Sequence, residues 1–243
     1  MFRRWRAALL FLAAIALVVS PPMSFAKDKV QFGISGFGGY NTYAMDDLNN
    51  ELIDPVNADP TVAAAGISLD KVSKGFGLGG GVHAWMTKDL VISAEYERLM
   101  AGTKDEGNVL GSPVAIEIKA PASAFVLTAA HLFPSESKCR FGLGAGIGYY
   151  STSGTLEVSG TGGAFNDKVK GNGVGFHALG VMDYAATSQV HLGVRAGYRM
   201  AKASDLEDSS GVKLLNTDGS ESQADWSGLM TRAGITLLLG ASE

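Results

Sequence analysis

From residue 29 onward, apolar and polar positions alternate with period two through a series of segments. Alternation of that kind marks strands with two unlike faces. Eight segments carry it: Lys29–Tyr40, Ser73–Thr87, Asp89–Met100, Val114–Phe133, Lys138–Thr152, Gly173–Ala186, Gln189–Lys202 and Trp226–Gly240. Near the C-terminus, Val190, Leu192, Val194, Ala196, Tyr198 and Met200 oppose His191, Gly193, Arg195, Gly197 and Arg199. Further upstream, Leu90, Ile92, Ala94 and Tyr96 oppose Val91, Ser93, Glu95 and Glu97, and Phe141, Leu143, Ala145, Ile147 and Tyr149 oppose four glycines. The segment Val114–Phe133 is long for one strand, and Pro121 within it predicts a bend or bulge.

Period two alone does not say which face points inward; a soluble barrel or sandwich turns its apolar face in. The connections favour the inverse. Short ones near Lys88, 134–137 and 187–188 alternate with long ones over 41–72, 101–113, 153–172 and 203–225, the layout of membrane barrels with tight turns at one end and long loops at the other. Tyr40, Tyr149 and Tyr198 close apolar faces on the long-loop side, where an interfacial aromatic girdle belongs. Glycine crowds the polar face, and small residues relieve crowding inside a narrow barrel. The expectation is an all-β, eight-stranded antiparallel up-and-down transmembrane β-barrel. Within the first long loop, Ala44–Ile53 is a candidate short helix.

The N-terminus adds a destination. Arg3, Arg4 and Arg6 precede an apolar run from Ala7 to Val19, and Ser24-Phe25-Ala26 has the small-x-small form of a cleavage site. That run is too short for a membrane helix. Residues 1–26 therefore read as a secretory signal peptide and 27–243 as the barrel domain, bound for the bacterial outer membrane. Three of the 20 basic residues lie in the signal, so the mature chain is more acidic than the precursor's net charge of −4. That balance argues against a nucleic-acid partner. The single cysteine, Cys139, rules out an intrachain disulfide.

With these features together, the chain resembles the small outer-membrane barrels, the OmpA transmembrane domain, OmpX and OmpW. The glycine-aromatic stretches Phe32–Tyr40 and Phe141–Tyr149 carry the likeness beyond architecture. The resemblance implies a monomer that meets outer-membrane lipids, lipopolysaccharide and the barrel-assembly machinery. Such families usually finish on an aromatic residue, whereas this chain finishes Thr236-Leu237-Leu238-Leu239-Gly240-Ala241-Ser242-Glu243. Two roles stay open: a structural or interaction protein with an occluded polar lumen, or an OmpW-like channel for ions or small apolar solutes.

Charged residues on the polar faces are the candidate site. Glu95, Glu97, Arg195, Arg199 and Arg232 stand at similar heights above the short turns, so they are expected to meet inside the barrel. Charges in a low-dielectric lumen must be paired or solvated. The set reads either as a structural plug or, as the OmpA likeness implies, as a gate. His83, Ser93 and Glu95 also supply the residue types of a nucleophilic set. They point into a lumen that lipid cannot easily enter, and no nucleophile-elbow motif is present, so no catalytic activity is expected and a lipid-modifying hydrolase is a remote alternative. Asp183 and His191 are expected to form a hydrogen-bonded cross-strand pair. The long loops carry acidic runs, read as solvated surface or as a divalent-cation bridge to lipopolysaccharide. No metal-ligand spacing or cofactor motif is present.

Overall fold

The computed structural model describes residues 30–109, 111–160 and 163–239, so the signal segment lies outside the described residues. The strands are β1 (Gln31–Thr42), β2 (Lys74–Trp85), β3 (Leu90–Met100), β4 (Gly102–Val109), β5 (Ser112–Lys119) and β6 (Ala122–Leu132). They continue with β7 (Cys139–Gly160), β8 (Gly163–Ala185), β9 (Val190–Glu207), β10 (Ala224–Asp225) and β11 (Gly228–Leu239). Antiparallel pairing runs β1–β2–β3–β6–β7–β8–β9–β11 and returns to β1, which closes a ring of eight up-and-down strands. Closure leaves no unpaired edge around the ring.

The ring is inverted relative to a soluble barrel. Phe32, Ile34, Leu78, Val82, Leu127, Leu143, Leu192, Val194, Ile235 and Leu237 all stand exposed on its outer wall, while Glu95, Glu97, Arg199, Arg232, His83 and His177 are buried inside. An apolar belt of this extent has a solvent it suits only in hydrocarbon, where a closed barrel also satisfies every strand's backbone. Aromatic side chains edge the belt at both ends. Tyr40, Tyr149 and Tyr198 lie exposed toward the long connections, and Phe32, Phe141 and Tyr184 toward the short turns. From Phe141 to Tyr149 the strand climbs ~26 Å, or about 20 Å along the normal at a typical barrel tilt. That suits an apolar band about 25 Å tall.

Two of the connections expected to be loops are extensions of the barrel wall. The ladder of β7 and β8 continues from Thr152↔Gly171 to Gly160↔Gly163. Likewise β4 and β5 prolong β3 and β6 as a hairpin, with Gly102↔Lys119 in the same register as Leu99↔Ala122. Pro121 interrupts β5 and β6 without the expected bulge, because Lys119↔Thr155 and Ala122↔Thr152 keep one register along β7. Proline simply has no N–H to give the ladder. Beyond the belt the alternation changes phase. Ile116 and Ile118 are buried inward, while Lys119 and Glu157 pair on the outside. There the surroundings are water, so the usual apolar-in pattern returns, and the apolar exterior that marks the lower strands is missing.

Those inward residues pack against the first connection, which folds over the barrel mouth. Helical turns run from Asp46 through Ala58, with a π-helical turn at Asn49–Ile53, so the expected short helix is longer than read from the sequence. A second turn, Pro60–Ala64, is capped by Asp59, whose carboxylate accepts from the Thr61 and Val62 amides at 2.7 and 3.4 Å. These N–H bonds hold the exposed Asp59 carboxyl below the usual range. Two asparagines fasten the returning chain. Asn49 bonds both the amide and the carbonyl of Val72 at 2.8 and 3.1 Å, and Asn57 does the same to Leu69 at 2.8 and 2.9 Å. Tyr43, Met45, Ile53, Ile67 and Leu69 thereby join Ile116, Ile118, Tyr150 and Trp226 in one buried cluster at that end.

Candidate functional site

The interior charges come from opposite walls. In the ring of eight, β3 stands four places from β9 in either direction, so the two face each other across the full diameter. β3 places Glu95 and Glu97 two residues apart on its inward face, and β9 places Arg195 and Arg199 four residues apart on its own. Arg232 enters from β11, directly opposite Arg195 in the ladder.

The five side chains meet. Arg195 donates to Glu95. Arg232 bridges both carboxylates, one Nη to Glu95 at 3.0 Å and the other to Glu97 at 2.8 Å. Arg199 reaches Glu97 at 3.4 Å, donates through Nε to the Trp226 carbonyl at 3.1 Å and approaches Asn41 Oδ1 at 3.5 Å. Its guanidinium also lies 5.8 Å from the ring centres of Tyr43 and Tyr150, and that of Arg232 lies 5.0 Å from Phe37. Such cation–π contacts suit a guanidinium held away from water. Both glutamates and Arg199 are at most 1% exposed at their side chains. Two carboxylates among three guanidiniums leave an excess positive charge, softened by the carbonyl and the ring faces.

Glycine makes the room. A Cβ at Gly77 would stand 2.5 Å from a Glu97 carboxylate oxygen, and one at Gly81 would stand 2.8 Å from Glu95 Cγ. The glycine-rich polar faces are therefore the recesses into which the charged side chains fit. Two small spaces lie beside the network, one of about 30 Å³ bordered by His83, Glu95, Arg195 and Arg232 and one of about 40 Å³ bordered by Ser93, Thr128 and Asp183. Each is on the scale of one or two water molecules.

Below the network lies a second polar tier. His83 Nε2 is 2.7 Å from Ser35 Oγ, and His177 Nε2 is 3.0 Å from Thr128 Oγ1. Asp183 receives Arg140 at 2.8 Å and stands 2.9 Å from His191 Nδ1, the pair expected from the sequence. Arg140 also donates to the Lys88 carbonyl at 2.8 Å. Of these residues, Arg140, His191 and Lys88, together with Trp85, border an open vestibule of about 480 Å³ at the short-turn end.

The geometry does not assemble the nucleophilic set considered from the sequence. His83 bonds Ser35, a residue sequence reasoning did not single out, and among the described residues no hydrogen bond joins it to Ser93. Glu95 approaches the same Nε2 atom, at 3.9 Å, so it does not orient the ring through the other nitrogen as a triad carboxylate does. Glu95 is moreover committed to two arginines. Among the described residues, no cluster of histidine, cysteine and carboxylates is arranged to hold a metal ion. Tyr150 shares the inward parity of its strand and was legible on that basis, whereas Asn41 has the inward parity of β1 but stands one residue beyond the segment read from the sequence. Trp226 opens the last alternating segment with the same inward parity as Arg232, although the strand itself starts at Gly228; Tyr43 lies in the first connection, where period two gave no signal.

No family model matches the chain, and no curated protein does. Solved structures do. The major outer membrane protein of Thermus thermophilus aligns over 87% of this chain and 100% of its own length at a TM-score of 0.52 and 11% identity. OprG of Pseudomonas aeruginosa aligns over 87% and 95% at a TM-score of 0.40 and 12% identity. Ail, the attachment invasion locus protein of Yersinia pestis, aligns over 86% and 97% at 0.38 and 14% identity. The first of these likenesses, together with the closed ring of eight, establishes the fold of a small outer-membrane β-barrel.

Proposed function

We propose that this chain is a resident of the bacterial outer membrane whose barrel is an occluded structural or interaction module rather than an open pore. The long connections then face outside and the short turns face the periplasm. The observation that carries this reading is the pair of ion bridges, Glu95–Arg195 and Glu97–Arg199, spanning the diameter from β3 to β9. In an eight-stranded barrel the interior is just wide enough to be filled by side chains. The folded first connection adds a lid at the outer end. No enzymatic role is part of this reading, since among the described residues neither hydroxyl-bonded histidine, His83 or His177, has a carboxylate orienting its other ring nitrogen.

A gate is the second reading, favoured by the open polar vestibule on the periplasmic side, which brings solvent up to the lower tier. One substitution separates the two. Glu95→Ala leaves Arg195 without its carboxylate and Arg232 with one, and breaking a buried pair costs about 3–5 kcal/mol. The expected outcome is a lower urea midpoint with planar-bilayer conductance as small as that of the parent. A large conductance appearing only in Glu95→Ala would make the network a gate. Steady, open-pore conductance in the parent protein would overturn occlusion itself.

A further inference from the structure

One sector of the outer wall is ordered by chemistry from its middle to its outer end. Three ladders fix the order across β3, β6, β7 and β8. The lowest rung aligns Ala94, Leu127, Ile147 and Phe176, and the next aligns Tyr96, Phe125, Tyr149 and Val174. Above these stand Arg98, Ser123, Ser151 and Asn172 in a single rung. Lys170 and Lys168 follow on β8. All these positions share the outward parity of their strands, so the wall passes from aliphatic to aromatic to hydroxyl and cation.

The apolar part is concave. A groove of about 610 Å³ opens on the outer surface among Val82, Tyr96, Phe125, Leu127, Ile147 and Tyr149, hollowed where Gly80 and Ala94 carry little side chain. The tyrosines mark its upper rim. Tyr96 Oη lies 3.1 Å from Ser123 Oγ, and Tyr149 Oη donates to Asn172 at 3.0 Å, so both hydroxyls turn toward the polar rung as ring and hydroxyl do at a headgroup boundary. Arg98 stands at that boundary, half-buried, with one Nη donating to Ser123 at 2.8 Å. Among the described residues no carboxylate forms an ion pair with Arg98, Lys168 or Lys170. Lys119, by contrast, is neutralised by Glu117 and Glu157. A guanidinium on a membrane-facing wall without a counter-charge calls for an anion from the lipid itself.

We propose that this sector is a docking site for a phosphorylated glycolipid of the outer leaflet, the lipid A part of lipopolysaccharide. Its phosphate is held by Arg98 with the Ser123 and Ser151 hydroxyls beside it and Lys170 flanking, and an acyl chain lies in the groove below. Three strand spacings separate Arg98 from the β8 end of its rung, roughly 14 Å, a width that fits a disaccharide head rather than a single glycerol phosphate. The inference rests on the outer-membrane reading above, because it places this end of the barrel in the outer leaflet.

The test uses the mature protein folded in zwitterionic detergent, with diphosphoryl lipid A, its dephosphorylated form and phosphatidylglycerol as probes, binding being read by native mass spectrometry. Diphosphoryl lipid A is expected to bind and to survive competition by phosphatidylglycerol. Arg98→Ala and Lys170→Ala should each weaken it, roughly fivefold for each cation removed and about 25-fold together. Lys170 is exposed, so that variant stays informative even if loss of Arg98 disturbs folding, and Lys213→Ala in the distant last loop should bind as the parent does. Equal binding of dephosphorylated lipid A, equal competition by phosphatidylglycerol, or parent-like binding by the folded variants would each overturn the proposal. Bilayer conductance of the same preparations reports separately on occlusion.

Discussion

Gly81 stands opposite Glu95 on the neighbouring strand, and its missing Cβ leaves the space through which the glutamate turns toward the arginines. Besides Glu95 Cγ at 2.8 Å, a side chain there would meet the Ala94 carbonyl at 2.4 Å and the Glu95 Cα at 2.9 Å, two backbone atoms that do not yield by a rotamer change. Gly81→Val is therefore expected to destabilise by about 1–3 kcal/mol or more, as overpacking of a filled interior does. The measurement is the urea midpoint against that of Gly36→Val, since Gly36 has open space where a Cβ would stand. Equal midpoints would mean that the interior is looser than the contacts imply. Chemistry at this scale is decided by recesses as much as by charges: without Gly77 and Gly81, Glu97 and Glu95 could not lie flat enough to meet guanidiniums from the far wall.

Among elements, the first connection carries the least period-two signal and makes some of the most specific contacts. Asn49 acts as a backbone surrogate, offering its amide oxygen to the Val72 N–H and its amide hydrogens to the Val72 carbonyl, while itself nearly buried. Asn49→Ala leaves both groups without that partner, at a cost of about 1–3 kcal/mol. The ring of strands does not depend on that contact. The expected outcome is faster protease cleavage within 44–72 with the heat-modifiable gel shift of the barrel retained. Loss of the gel shift would show that the lid and the ring fold as one cooperative unit. The hairpin of β4 and β5 behaves as the opposite kind of element, since its ladder is an unbroken continuation of the barrel and only its environment changes.

For the whole molecule, two solvents act on one sheet. Its lower part turns apolar residues outward and its upper part turns them inward, along strands whose register never slips between Lys119↔Thr155 and Ala122↔Thr152. A chain built this way should not be stable free of lipid or detergent. The expected result is fractionation with the membrane, extraction only by detergent, and a gel mobility that changes on boiling. Recovery as a monomer from the soluble periplasmic fraction would overturn the inside–outside assignment, and with it the lumen and lipid readings.

The chain's own pattern determined the eight membrane-crossing segments, the face each turns outward and the inward parity of Glu95, Glu97, Arg195, Arg199 and Arg232. Alternation is a local property, written at every second residue, and an apolar exterior amplifies it where lipid surrounds the strand. The same reasoning explains what was hidden. Residues 102–109, 112–113, 153–160 and 163–171 are strand too, but in water their outer face is polar, so they read as loops. Which residues meet across the lumen was fixed only by closure of the ring. Closure sets β3 against β9, brings Tyr43 and Trp226 in over Arg199, and gives His83 to Ser35 instead of Ser93. Those partners lie tens of residues apart on strands whose relative height depends on the stagger of the whole barrel, a quantity that no single segment encodes.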